Sequence, residues 1–158
     1  MLFRSIPGLA ERVADGDIVD ETGKVIGKHR GYPFYTIGQR RGLGVSAKEP
    51  LYVTALDTEH NRIEVGKKSS LECRSLVASA INWIGIEKLN GPIEASGKIR
   101  YRDRETPCTI EPLGERSATV SFASPKSAVA KGQAAVFYRD REVLCGGFIT
   151  QVTHQSKL

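Results

Sequence analysis

The chain has 158 residues, 40% of them apolar and 26% charged, with a net charge of +5. That balance excludes a disordered chain, and no apolar run is long enough for a membrane-spanning helix. The length suits one ordinary domain or two small ones, and Arg4, Glu11 and Arg12 interrupt the apolar stretch that a secretion signal needs, so the cytoplasm is the expected compartment.

In chain order, Ile6–Val13 reads as a turn or two of amphipathic helix after Pro7. The pattern then changes to strands. Asp17–Asp20 and Val25–Lys28 flank Glu21–Lys24 as a hairpin, and Leu51–Asp57 and Arg62–Val65 form a second around Thr58–Asn61. A polar stretch, Lys67–Ser70, reads as a joint between two units. Beyond it lie Ser75–Trp83, Ile93–Tyr101, Pro107–Glu111, Ala118–Phe122, Gln133–Tyr138 and Val143–Ile149, punctuated by Asn90-Gly91-Pro92, Gly114 and Lys131-Gly132. Short strands with frequent turns and no convincing helix predict an all-β protein whose second part is a closed antiparallel barrel or a sandwich.

Charge is placed unevenly. Residues 24–48 hold Lys24, Lys28, Arg30, Arg40, Arg41 and Lys48 and no carboxylate, and a second cluster is Lys98, Arg100, Arg102 and Arg104, broken by Asp103 and Glu105. In an extended segment Lys98, Arg100 and Arg102 project from one face, with Ile99 and Tyr101 on the other. Such an array needs an anionic neighbour, either an acidic strand or a phosphate backbone.

Chemistry of other kinds is absent. Cys73, Cys108 and Cys145 are far apart, two of them in apolar strand-like surroundings, and read as structural thiols; no metal-ligand spacing joins them to His29, His60 or His154. No nucleophile elbow occurs, and Gly66-Lys67-Lys68-Ser69 fails as a phosphate loop, with Asn61 at the leading glycine and Lys68 where Ser or Thr belongs.

The densest run is His29–Gly44, with four glycines, Tyr32, Tyr35 and the arginines Arg30, Arg40 and Arg41. Glycine at that density marks backbone that turns or approaches something closely. Arginines beside aromatics suit a phosphate-rich partner, although a solvated glycine-rich connection has the same composition.

His-x-Gly-x3-Tyr-Thr-x-Gly-Gln-Arg-x-Gly-Leu-Gly, here His29 to Gly44, resembles the signature of the bacterial-type tRNA-specific 2-thiouridylases (tRNA-uridine 2-sulfurtransferases). The similarity continues in order through Leu51-Tyr52-Val53, Asn82-Trp83, Ile99-Arg100-Tyr101-Arg102, Pro107-Cys108-Thr109, Gly132–Tyr138 and Gly146-Gly147, roughly Gly16 to Ile149. The resemblance implies a small β-rich middle domain at 1–72, then a six-stranded antiparallel β-barrel at 73–158 like the second domain of elongation factors. It implies tRNA as partner, contacted by Arg100, Tyr101 and Gln133. Gln39, Arg40 and Arg41 would lie in a loop that contacts RNA or shapes the site, and Lys98 and Arg102 would support the backbone contact.

The family reaction, as the resemblance implies it, uses ATP with Mg to activate the C2 oxygen of a wobble uridine, which sulfur from a cysteine persulfide then replaces. The persulfide would come from a sulfur-relay donor protein. The Ser-Gly-Gly-x-Asp-Ser loop and the two cysteines of the family's catalytic domain do not occur here, so no catalytic residue, metal or cofactor is expected within these residues. The chain then reads as the tRNA-binding part of the enzyme, inactive by itself. The alternative is a free-standing β-barrel adaptor that binds RNA or translation machinery without catalysis.

Overall fold

The computed structural model describes residues 13–154. The expected helix at Ile6–Val13 lies outside them except for Val13, which is buried. The chain divides after Leu71 into two compact units.

The first unit is a four-stranded sheet of β1 (Gly16–Val19), β2 (Val25–His29), β3 (Tyr52–Asp57) and β4 (Arg62–Gly66) in the order β2-β1-β4-β3. Both expected hairpins form, and each turn has its own carboxylate. Asp20 Oδ1 accepts from the Thr22 and Lys24 amides at 2.9 and 3.1 Å. Asp57 Oδ1 accepts from Glu59 and His60 at 3.1 and 3.0 Å, with Asn61 at φ 50° closing the turn. The hairpins join through a parallel pairing of β1 with β4, in which Ile18 lies opposite Ile63. Those two residues, with Val53 and Val65, are fully buried and form the heart of this unit's core.

The glycine-rich run connects β2 to β3 and is part of the fold. Tyr35 and Leu43 are buried in the sheet's core. Gly31, Gly38, Gly42 and Gly44 all have positive φ (121°, 86°, 75° and 71°), a backbone state that side chains strain to adopt. Gly38 N–H donates to Val53 O at 2.8 Å and Val53 N–H to Gln39 O at 2.9 Å, so the run pairs with the start of β3. His29 is only 1% exposed. Its Nδ1 accepts the Gly31 N–H at 3.0 Å, which leaves Nε2 to carry the proton and donate to Asn61 O at 3.1 Å.

The second unit is a closed barrel of six strands, β5 (Glu72–Trp83), β6 (Ile93–Lys98), β7 (Thr106–Gly114), β8 (Ser117–Ser127), β9 (Ala134–Arg139) and β10 (Glu142–His154), in the order β10-β5-β8-β7-β6-β9. Every pairing is antiparallel. Period-two alternation fills the interior: Cys108 and Ile110 from β7, Ala118, Val120 and Phe122 from β8, and Ala135 and Phe137 from β9. On β5 the alternation runs through Leu76 and Ala78 and then jumps to Ile81. Ala80, at φ 53°, absorbs the extra residue, and the register against β10 shifts there. A bulge of this kind bends the strand, as closure of a small barrel requires.

Candidate nucleic-acid interface

β6 and β9 pair with Ser96 opposite Tyr138, Gly97 opposite Phe137 and Lys98 opposite Val136. Phe137 points into the core, so Lys98, Val136 and Tyr138 share the outer face. Where these strands end, the turn after β6 and the loop before β9 rise on either side. Together they enclose an open groove of about 510 Å³ lined by Lys98, Ile99, Arg100, Tyr101, Gln133, Ala134, Val136 and Tyr138. Lys98, Arg100 and Tyr101 from one segment and the distant Gln133 therefore meet in one place.

Each has distinct chemistry. Tyr101 is 100% exposed at the tip of the turn, a ring with nothing stacked on it. The Arg100 guanidinium donates to Ser127 O at 2.6 Å, which anchors one edge of the fork. Lys98 Nζ lies 5.2 Å from the Tyr138 ring centroid and 3.4 Å from Glu105. Glu105 also accepts a hydrogen bond from the Ser96 hydroxyl, which with Lys98 holds its carboxyl below the usual carboxylate range. Gln133 accepts the Ala130 amide through Oε1 at 3.1 Å, the loop-satisfying role expected of a residue at a strand start. Its Nε2 remains a donor at the groove.

The expected one-faced strand Lys98-Arg100-Arg102 does not form. β6 stops at Lys98, and residues 99–102 turn. The cause is Asp103, whose Oδ2 accepts the Ile99 amide at 3.1 Å while its own amide donates to Arg100 O at 3.1 Å. Arg102 is exposed and does not line the groove.

Lys126 and Asp103 are the residues that sequence reasoning missed. Lys126 is 5% exposed beneath the turn, its Nζ donating to Asp103 Oδ2 at 2.7 Å and to Arg104 O at 2.6 Å. Burial alone would raise the Asp103 carboxyl; Lys126, the Ile99 amide and the Arg100 charge outweigh it and hold the group below its ordinary value. The alternation on β8 held no signal for Lys126: Ser124 is exposed and the register against β5 shifts between Ser121 and Lys126, so only the folded strand turns Lys126 inward.

In the first unit, Gln39 spends its amide on the loop, accepting from Thr36 N–H at 3.1 Å and donating to Arg41 O at 2.9 Å. Arg40 and Arg41 are exposed, and Arg40 and Lys48 line a shallow cleft of about 380 Å³. Lys67 is tied to Glu49 at 2.8 Å.

ATP and persulfide chemistry do not fit the residues present. Gly66-Lys67-Lys68-Ser69 closes β4 and enters the 3-10 turn Lys68–Leu71 instead of wrapping a phosphate. The three cysteines are buried, and burial pushes their thiols up to about 11 for Cys73 and about 12 for Cys108 and Cys145, the reverse of an activated nucleophile. Among the described residues no cluster of His, Cys, Asp or Glu has the makings of a metal site, and no helix is long and apolar enough to cross a membrane.

Comparison with known proteins agrees with this architecture unit by unit. Residues 9–67 match the family model of the tRNA methyl transferase PRC-barrel domain, and residues 73–149 that of the aminomethyltransferase beta-barrel domain. The chain is 68% identical over 148 residues to a tRNA-specific 2-thiouridylase MnmA of Chlorobium phaeobacteroides, covering 94% of this chain and 42% of the relative. It is 61% identical over 155 residues to that of Chlorobaculum tepidum (98% and 42%), and 44% identical over 138 residues to that of a Synechococcus species (87% and 39%). The chain thus spans about 42% of the length of the first of these relatives. With two family models in the family's own order and identities at this level, the chain belongs to the tRNA-specific 2-thiouridylase family and matches its middle and C-terminal β domains.

Proposed function

We propose that this chain is the tRNA-binding and tRNA-positioning part of an ATP-dependent enzyme that 2-thiolates the wobble uridine of tRNA in the cytoplasm. The observation that carries this reading is the convergence of Lys98, Arg100, Tyr101 and Gln133 on one groove of the barrel. The groove offers cations for phosphate, an unstacked ring for a base or ribose, and an amide donor for a sugar hydroxyl or base edge. Its floor of Ala134 and Val136 is apolar, which suits a nucleoside face more than a bare anion.

ATP with Mg, the attacking persulfide and the sulfur-relay donor belong to the whole enzyme, whose relatives extend well beyond the length matched here. What these residues do is hold: the barrel grips the tRNA body, and Arg40 and Arg41 on the β2–β3 connection are free to meet RNA or the catalytic part. Correct placement of one uridine needs such fixed contacts, because a displacement of about 1 Å costs on the order of a hundredfold in rate.

The test is equilibrium binding of unfractionated bacterial tRNA at several salt concentrations. Affinity should fall steeply with salt, and Arg100→Ala should weaken binding and flatten the log–log slope by about one, the signature of one lost phosphate contact. Binding indifferent to both changes refutes the proposal. ATP binding or thiolation by this chain alone would refute the division of labour.

A further inference from the structure

The groove is built partly from a turn with no hydrophobic core of its own. Residues 99–104 leave the barrel wall after Lys98, and beyond buried Ile99 the turn presents exposed Arg100, Tyr101, Arg102 and Arg104. Three cations on a short exposed turn repel one another, and an exposed tyrosine contributes no packing. Something else must hold this backbone.

One oxygen does most of it. Asp103 Oδ2 accepts from the Ile99 amide at the start of the turn and from Lys126 Nζ at 2.7 Å, while the same Nζ donates to Arg104 O at the end of the turn. The next residue on β8, Ser127, supplies the carbonyl that anchors the Arg100 guanidinium. Two adjacent positions of β8 therefore hold the turn, one through its backbone and one through its side chain. The Lys126 ammonium also lies 5.3 Å from the Phe122 ring centroid, at the edge of the core.

A charge pair this deep is a costly way to stabilise a barrel. Apolar residues of similar volume at the two positions are often as good or better for stability, so the pair calls for a second role. We infer that Asp103 and Lys126 are positioning residues for the groove: this buried pair holds the turn so that Arg100 and Tyr101 face the RNA. The inference rests on the RNA-binding reading above.

The variants Lys126→Met, Arg100→Ala and their combination test it, in the full chain, with two readouts: hydrogen exchange at the Ile99 and Asp103 amides, which the turn's own bonds protect, and affinity for unfractionated bacterial tRNA. In Lys126→Met the turn amides should exchange at least about tenfold faster while those of β5 and β9 stay protected. Affinity should fall about tenfold or more, at least as far as in Arg100→Ala, because Tyr101 is displaced with Arg100. The double variant should bind no more weakly than Lys126→Met alone, because once the turn is loosened Arg100 no longer faces the RNA.

An unchanged affinity in Lys126→Met, or a full second loss when Arg100→Ala is added to Lys126→Met, overturns the inference, since general destabilisation would add to the Arg100 loss. Should Lys126→Met unfold the barrel, Asp103→Asn carries the same test, because it keeps an oxygen for the Ile99 amide and removes only the charge. Arg100→Ala binding as well as the unaltered chain refutes the RNA reading and the inference with it. Weaker binding by Arg100→Ala beside full binding by Lys126→Met and Asp103→Asn refutes the inference alone.

Discussion

Gly97→Ala should destabilise the barrel with no change in charge or hydrogen bonding. Gly97 stands on β6 beside Lys98 and faces inward across from Phe137. A Cβ there would meet Phe137 Cδ1 at 2.9 Å and Phe122 Cε1 at 3.0 Å, against the roughly 3.5–4.0 Å at which carbons attract. Both rings are buried in the core, so relief needs a retreat of about 0.5 Å into packed neighbours. Overpacking of this kind costs about 1–3 kcal/mol, which for a unit of this size lowers the melting temperature by roughly 5–20 °C. Trp83 is the only tryptophan and belongs to β5, so its fluorescence follows the barrel selectively. Gly91→Ala is the control: nothing lies within 4 Å of its Cβ, and stability should stay within about 1 kcal/mol of the original. A Gly97→Ala melting curve indistinguishable from that control refutes the packing argument.

Gly16→Ala should unfold the first unit and spare the barrel transition, because its Cβ overlaps the Asn61 carbonyl oxygen and the His29 ring; far-ultraviolet circular dichroism read beside Trp83 fluorescence separates the two units. Cys73, Cys108 and Cys145 should resist a thiol reagent at pH 7.5 and all react in denaturant, since burial pushes each thiol to about 11 or 12; rapid native labelling of any of them contradicts the burial. The Asp103 carboxyl is held below its ordinary 3.8, so its contribution is complete above that value and is lost as pH falls through the lower folded one. Because Glu105 is likewise held below its ordinary 4.5, acid titration of barrel stability should stay level down to about pH 5 and fall below it, with a shallower fall in Asp103→Asn.

The barrel strands were legible because their inner faces repeat at two residues, as in Cys108 with Ile110 or Ala118, Val120 and Phe122. The parallel pairing of β1 with β4 was not, since nothing local to either hairpin encodes contact between their inner strands. The same limit hid the end of β6. Alternation alone carried the strand on to Tyr101, while the observed stop depends on Asp103 and on Lys126, a residue on a different strand.

The glycine-rich run was legible as special and ambiguous as to why. His29, Tyr35 and Leu43 prove to be buried, and Gln39 spends its amide on its own loop, so much of its patterning serves the fold. Arg100 stood out in the basic cluster at 98–104, whereas Tyr101 and Gln133 carried no such signal from composition. Only the resemblance singled those two out, and only folding brings Gln133 onto the groove beside Arg100 and Tyr101.

The most direct measurement of the central claim is ultraviolet crosslinking of tRNA to the intact chain, with the attached peptides identified by mass spectrometry. The account predicts crosslinks on the peptides that contain Tyr101 and Gln133–Tyr138, lost on adding high salt and sharply reduced in Arg100→Ala. Crosslinks confined to the Trp83 end of the barrel, or unaffected by Arg100→Ala, would contradict it.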